Sequence, residues 1–394
     1  MKVLPLTEQT YGSDEILSMI NVLVSNKLTM GSKVKEFEEK FAKYVGSKYA
    51  IMVNSGSSAN LLAVNILTNL KYSKKIVPGD KIIVPTVCWS TSVWPIIQMG
   101  LEPVFVDINI NTLNADIDKI ETLLENDTKI KGLMLVHILG NSTNMNKVMM
   151  LKEKYNLLII EDTCESLGSK YNNKCLGTFG ECGTFSFYYS HHITTIEGGM
   201  IVTDNEEIYE ILKCIRAHGW SRGQKNQTNN EIDNRFCFIN IGYNLRPMET
   251  QGAMGIVQLT KLSEHNLNRK YNYNRFLNLL NEKAIEKQLE TLLTSFSAED
   301  NCDCAWFALP FLLNKTYNRL EYLTKLENSG IETRPVITGN FTRQPIFKSL
   351  KYDCNPESFE NAEIIDKQGF FIGLPCSKMT DNKINTIIDI LLDV

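Results

Sequence analysis

Residues Gly183 to Met200 read Gly-Thr-Phe-Ser-Phe-Tyr-Tyr-Ser-His-His-Ile-Thr-Thr-Ile-Glu-Gly-Gly-Met. The apolar start, with Phe185 and Phe187 flanking Ser186, reads as a strand. The end, Glu197-Gly198-Gly199-Met200, reads as a turn into a second strand, Met200 to Thr203. Between them stand two adjacent histidines, His191 and His192, and no lysine occurs between Lys174 and Lys213.

Working outward, short apolar runs recur upstream: Tyr49 to Val53, Lys81 to Pro85, Pro103 to Asp107, Gly132 to His137 and Leu157 to Glu161. Nearly all-apolar runs suit strands buried on both faces, as in a mostly parallel α/β sheet. Helical spacing appears between them, as in Gly31 to Val45, where Val34, Phe37, Phe41 and Val45 share a face. After about Leu259 the texture changes: Lys261 to Leu279 is a long helical stretch, followed by mixed strands and helices. This predicts a large domain over 1–258 and a smaller C-terminal α/β domain over 259–394.

Ligands of α/β sheets collect at the carboxyl ends of the strands. The first strand ends in Asn54-Ser55-Gly56-Ser57-Ser58-Ala59-Asn60 before a helix. That turn reads as a phosphate cradle or as a plain serine N-cap. Asp162 follows another strand. Its carboxylate would hold a cationic ring nitrogen in its charged form, or cap the next helix. Trp89 follows a third, where an indole either stacks on a flat cofactor or packs.

The chain has 394 residues, with 41 basic against 45 acidic side chains and a net charge of −4. That balance offers nothing to wrap nucleic acid. No run approaches the roughly 20 apolar residues that span a bilayer. Met1 to Glu15 lacks the apolar core of a signal peptide, which places the protein in the cytoplasm. The ten cysteines are too scattered for a disulfide scaffold, and only Cys302 and Cys304 sit close. The five histidines form no HExxH pattern, so no metal site is expected.

Taken in order, these segments resemble the DegT/DnrJ/EryC1/StrS aminotransferase family, the sugar-modifying branch of the pyridoxal 5′-phosphate (PLP) enzymes of aspartate-aminotransferase fold (fold type I). The likeness runs through Phe37-Glu38-Glu39, Ser55 to Ser58, Glu161-Asp162, Phe185 to Phe187, Thr194 to Met200 and Gly242-Tyr243-Asn244-Leu245-Arg246. It implies that Gly56 and Ser57 hold the cofactor phosphate, with Ser186 adding its hydroxyl. Asp162 would pair with the ring nitrogen and Trp89 would cover the ring face. Asn244 would reach the cofactor phosphate of the partner in a homodimer with a shared site. Glu165 falls where relatives usually carry Gln or His near the ring hydroxyl.

Most relatives carry a lysine where this chain has His191, and that lysine binds the cofactor aldehyde covalently. Imidazole forms no stable imine, so the cofactor would be held noncovalently, as PLP or pyridoxamine 5′-phosphate (PMP). His191 would remain as a proton-moving base, its ordinary pKa of about 6.5 suiting that task. The pair followed by Thr195-Ile196-Glu197-Gly198-Gly199 is similar to the PMP-dependent sugar 3-dehydratases of the family. Ala217 to Trp220, Gly330 to Pro335 and Gly339 to Thr342 fit the same branch.

That resemblance implies 3-deoxygenation of a GDP-linked 4-keto-6-deoxy sugar, hexose or heptose. L-Glutamate would regenerate PMP, and the product would feed 3,6-dideoxy sugar synthesis for surface polysaccharide. His218, Glu332 and Arg334 are the candidate substrate contacts. The alternatives are a CDP-linked dehydrase with an iron–sulfur cluster, an aminotransferase with a lysine from elsewhere, and a noncatalytic binding homologue.

Overall fold

The computed structural model describes residues 2–222, 232–350 and 354–394. Its centre is a seven-stranded sheet. In chain order the strands are β1 (Tyr49–Val53), β2 (Lys81–Pro85), β3 (Glu102–Val106), β4 (Ile130–Val136), β5 (Leu158–Asp162), β6 (Cys182–Ser186) and β7 (Gly199–Thr203). In space the order is β1-β7-β6-β5-β4-β2-β3. Pairing is parallel from β6 through to β3, and only β7 runs antiparallel to both its neighbours. The strands are almost wholly buried, as their unbroken apolar runs require.

Helices cover both faces. Helices α1 (Ser13–Val24) and α2 (Ser32–Val45) precede the sheet, α3 (Gly56–Thr68) follows β1 and α4 (Ser90–Gln98) follows β2. Strand alternation sorts β6 and its exit. Phe185 and Phe187 point into one layer and meet Phe37 and Phe41 of α2 at ring-centroid distances of 5.0 to 5.4 Å. Ser186 between them faces the other way. Each of these fully buried rings contributes about 1.5–3 kcal/mol by leaving water.

The long helix α5 (Glu249–Glu286) has 38 residues. Its start presses on α2 so closely that a Cβ at Gly255 would lie 2.5 Å from the Phe37 ring. Its later residues Tyr273, Phe276, Leu280 and Ala284 belong to a different core. That core lies against a four-stranded sheet of β8 (Leu293–Ser295), β9 (Ala308–Leu313), β10 (Thr333–Arg334) and β11 (Gly369–Gly373), ordered β8-β9-β11-β10. The helix is unbroken at 258/259, so the expected boundary falls inside one element. The N-terminus joins the small sheet: Leu4 is fully buried in its core and bridges Ile331. Among the described residues, no helix is long and apolar enough to cross a membrane.

Candidate active site

A cavity of about 480 Å³ opens at the carboxyl ends of β1, β2, β4, β5 and β6. Ser55, Gly56, Ser57, Asn60, Trp89, His137, Asp162, Cys164, Glu165, Ser186, Tyr188, Ser190, His191 and Phe307 are among its walls. Seven of the predicted residues therefore meet in one place: Gly56, Ser57, Trp89, Asp162, Glu165, Ser186 and His191.

The turn after β1 forms the serine N-cap, and its geometry would suit an anion. Ser55 caps α3, its Oγ accepting from the Ser58 N–H at 3.1 Å. Gly56 and Ser57 occupy the helix start, where unpaired N–H groups and the helix dipole favour an anion. Gly56 cannot carry a side chain: a Cβ would lie 2.6 Å from Ser186 Cβ and 3.0 Å from Ser186 Oγ. Glycine thus lets the helix start and the Ser186 hydroxyl close on one small volume.

Asp162 is the last residue of β5, one place further along the strand than its sequence run suggests, and turns rather than a helix follow it. The helix-cap reading of this residue is therefore wrong. Its buried carboxylate accepts from Asn60 Nδ2 at 2.7 Å, Ser92 Oγ at 2.8 Å and the Cys164 N–H at 3.2 Å. These donors fix its aim. Asn60 and Ser92 were given no role by the sequence reading. A polar residue inside the apolar helical run Ala59 to Leu62 was the available signal, since a buried amide needs a partner.

His191 Nδ1 lies 2.7 Å from the carbonyl oxygen of Cys164. A carbonyl only accepts, so Nδ1 carries the proton and Nε2 keeps the lone pair. Burial lowers the pKa of His191 to about 4, against the opposing pull of the Cys164 carbonyl and Asp162. The imidazole is thus neutral at pH 7, where its ordinary value would leave a fraction charged. His192 is different. It is buried, its Nε2 lies 2.9 Å from the Ala305 carbonyl, and burial holds it far below its ordinary range. It is absent from the cavity wall.

Burial pushes Glu165 up to about 8, with the Asp162 charge adding to the rise and the Leu139 N–H, at 3.1 Å, opposing it. A protonated carboxyl donates a hydrogen bond as an amide would. His137, also in the wall, lies 3.2 Å from Glu161, which anchors the Gly177, Phe179 and Gly180 N–H groups.

The remaining predicted residues lie elsewhere. Asn244 is exposed, bridges Ala217 and accepts from Arg246 Nε at 3.1 Å. His218 has a positive φ of 63°, packs 4.9 Å from the Trp220 ring and lies 3.3 Å from Arg246 Nη2. Glu332 pairs with Lys2 and accepts from the Leu6 N–H at 2.9 Å, tying down the N-terminus. Arg334 is exposed on β10 and donates to the Thr333 carbonyl at 2.8 Å. None of the four lines the cavity of this single chain.

The sequence profile of the DegT/DnrJ/EryC1/StrS aminotransferase family matches residues 9–392. The chain belongs to that family. It is similar to a GDP-4-keto-6-deoxy-D-mannose 3-dehydratase of Escherichia coli O55:H7, 42% identical over 380 residues and 94% of each chain. The solved E. coli GDP-4-keto-6-deoxy-D-mannose-3-dehydratase with bound hydrated PLP superposes with a TM-score of 0.90, at 40% identity over 99% of this chain and 100% of that one. A GDP-4-keto-6-deoxymannose-3-dehydratase with a trapped PLP-glutamate geminal diamine gives a TM-score of 0.89, at 40% identity over 98% and 100%. The aspartate-aminotransferase fold expected from the sequence is borne out. Among the described residues lining this member's cavity there is no lysine.

Proposed function

We propose that the protein is a PMP-dependent 3-dehydratase of a GDP-linked 4-keto-6-deoxy sugar, hexose or heptose, with L-glutamate as the reductant. The observation that carries this reading is the neutral imidazole of His191, its Nδ1 proton held by a carbonyl, at the position where the family keeps its lysine. Such a group moves protons and forms no covalent link with the cofactor.

The donor set suits a noncovalent pyridine phosphate. Gly56 and Ser57 at the helix start and the Ser186 hydroxyl would hold the phosphate. Asp162, braced by Asn60 and Ser92, would hold the ring nitrogen, and Trp89 would cover the ring. Glu165, carrying a proton below about pH 8, would donate to the ring oxygen. When bound, the cofactor would supply a conjugated system that relays electrons towards C3 of the sugar. His191 Nε2 takes up a proton beside that path and can return it to the departing hydroxyl oxygen. The balance closes: the sugar exchanges its C3 hydroxyl for hydrogen while glutamate becomes 2-oxoglutarate and ammonia.

A homodimer with a site shared between copies is part of this reading. It is supported by Asn244, exposed away from its own cavity, and by the outward apolar side chains Ile16, Leu17, Ile20 and Leu23 of α1. His218, Glu332 and Arg334 remain the candidates for substrate contact from the second chain. We place the enzyme in the cytoplasm, making 3,6-dideoxy sugars for surface polysaccharide.

The deciding experiment is incubation with PLP, L-glutamate and GDP-4-keto-6-deoxymannose, with the nucleotide sugar read by mass spectrometry. Glutamate-dependent loss of one oxygen atom is expected. Exchange of the ketone for an amine would make the protein an aminotransferase and overturn the reading.

A further inference from the structure

Along α5, Leu262, Arg269 and Phe276 follow at seven-residue steps and so share a face. Leu262 and Phe276 are fully buried core residues, and Arg269 between them is 7% exposed. A guanidinium at an apolar position needs compensation. Among the described residues Arg269 has no ion-pair partner, and its buried Nε has no hydrogen-bond partner. Its recorded bond runs from Nη1 to the carbonyl oxygen of Phe307, at 2.8 Å.

Phe307 ends a strap, Ala305 to Phe307, that leads into β9 of the small sheet and backs the catalytic turn. The Phe307 ring lies 5.2 Å from the His191 ring and 5.7 Å from the His192 ring. The Ala305 carbonyl takes the His192 hydrogen bond, and the Ala305 N–H donates to Ser169 Oγ at 2.9 Å. The Phe307 N–H donates to the Leu139 carbonyl at 2.9 Å, and the Leu139 N–H reaches Glu165. The strap therefore touches both histidines and, through Leu139, the protonated acid.

We propose that Arg269 is a positioning residue for the base: its guanidinium pins the strap, and with it the Phe307 ring, against His191. The inference rests on the assignment of His191 above. The groups that face His191 are the Cys164 carbonyl, Asp162 and Glu165 from the β5 end, Tyr188 from its own turn, Phe307 from the strap, and His192 and Arg269 behind it. Among the charges, Asp162 favours the imidazolium and Arg269 opposes it.

The test compares Arg269→Lys and Arg269→Met with the wild-type holoenzyme, each first checked for folding by its melting curve and for PMP binding. Long-range nitrogen–proton NMR of labelled histidine reads the tautomer and titration of His191 directly, and turnover is followed across pH. In Arg269→Met the loosened strap should let water reach His191, so its titration is expected to move up from about 4 towards its ordinary value as burial is relieved, and kcat to fall about 10- to 100-fold, as misplacement of a base does. Arg269→Lys keeps the charge and one donor and should restore both. A folded Arg269→Met with unchanged His191 titration and tautomer would overturn the proposal and leave Arg269 a packing residue. If the titration moves while turnover does not, the positioning stands and the assignment of His191 as base fails instead. Should Arg269→Met not fold, Arg269→Lys and Phe307→Leu decide by the same two readouts. Wild-type titration in Arg269→Lys with a displaced one in Phe307→Leu supports the proposal, and any other pair of results refutes it.

Discussion

Gly56→Ala puts the phosphate assignment at risk in a single methyl group. The added carbon would lie 2.6 Å from Ser186 Cβ, 3.0 Å from Ser186 Oγ and 3.1 Å from Cys164 Sγ. The first distance is too short to persist, so the start of α3 retreats or Ser186 turns away. Overpacking of this kind costs the folded state about 1–3 kcal/mol. Either movement also takes a donor from the cradle. A hydrogen bond to a charged group is worth about 1.5–3 kcal/mol, which at about 1.4 kcal/mol per decade weakens PMP binding about 10- to 100-fold. Equilibrium dialysis of PMP against the variant gives Kd, and a melting curve of the cofactor-free protein gives the strain separately. A lowered Tm with unchanged Kd would refute the assignment, because the clash would be real and the phosphate elsewhere.

His191→Asn should bind PMP as the wild type does and lose about 100- to 10,000-fold in deoxygenation rate, the usual contribution of a general base, as read by mass spectrometry of the product. Asp162→Ala strands the buried donors of Asn60 and Ser92; we expect a stability loss of about 1–3 kcal/mol and weaker PMP binding in denaturation and dialysis. Glu165 has a pKa of about 8 in the folded chain, above the unfolded value of about 4.3. The folded chain keeps a proton that the unfolded chain has lost, so stability falls as pH rises through that window. Glu165→Gln removes this slope, and its Tm should gain on the wild type steadily from pH 5 to 8; parallel curves would show that the carboxyl is ionised. Glu332→Gln should cost less than about 1 kcal/mol in stability, as a partly exposed pair does, and raise KM for the sugar; an unchanged KM would leave Glu332 as a tie for the N-terminal segment alone.

The strands were legible because burial on both faces leaves only apolar residues to choose from. β1 and β2 fall on their expected residues, and β3 and β5 are displaced by one. Asp162 was read as lying beyond its strand because a carboxylate breaks an apolar run, yet its backbone pairs with Val136 and Thr184. The length of α5 was hidden because its first turns carry Gly252 and Gly255, which lower helix propensity and are needed for close contact with α2. In the site, the motif residues were visible as types at strand ends. The protonation of Glu165 and the tautomer of His191 were not, since both follow from burial and from a backbone carbonyl that no motif records. Phe307 and Arg269 gave no signal because they act from over a hundred and nearly eighty residues downstream of the turn they support.

The pairing of Leu4 with Ile331 and the single rod of α5 have a consequence for anyone who would rebuild this enzyme. Leu4 and the strands and last helix of the small domain share one core, and the stretch between them threads out through the large sheet and back along a helix about 57 Å long. The small domain is thus assembled from segments that lie far apart in the chain. A graft of the C-terminal portion onto a relative would arrive without Leu4 and Lys2, leaving an open seat in its core and an unmatched carboxylate at Glu332. Exchanging this domain between family members therefore calls for a two-ended transplant, with the first six residues carried along.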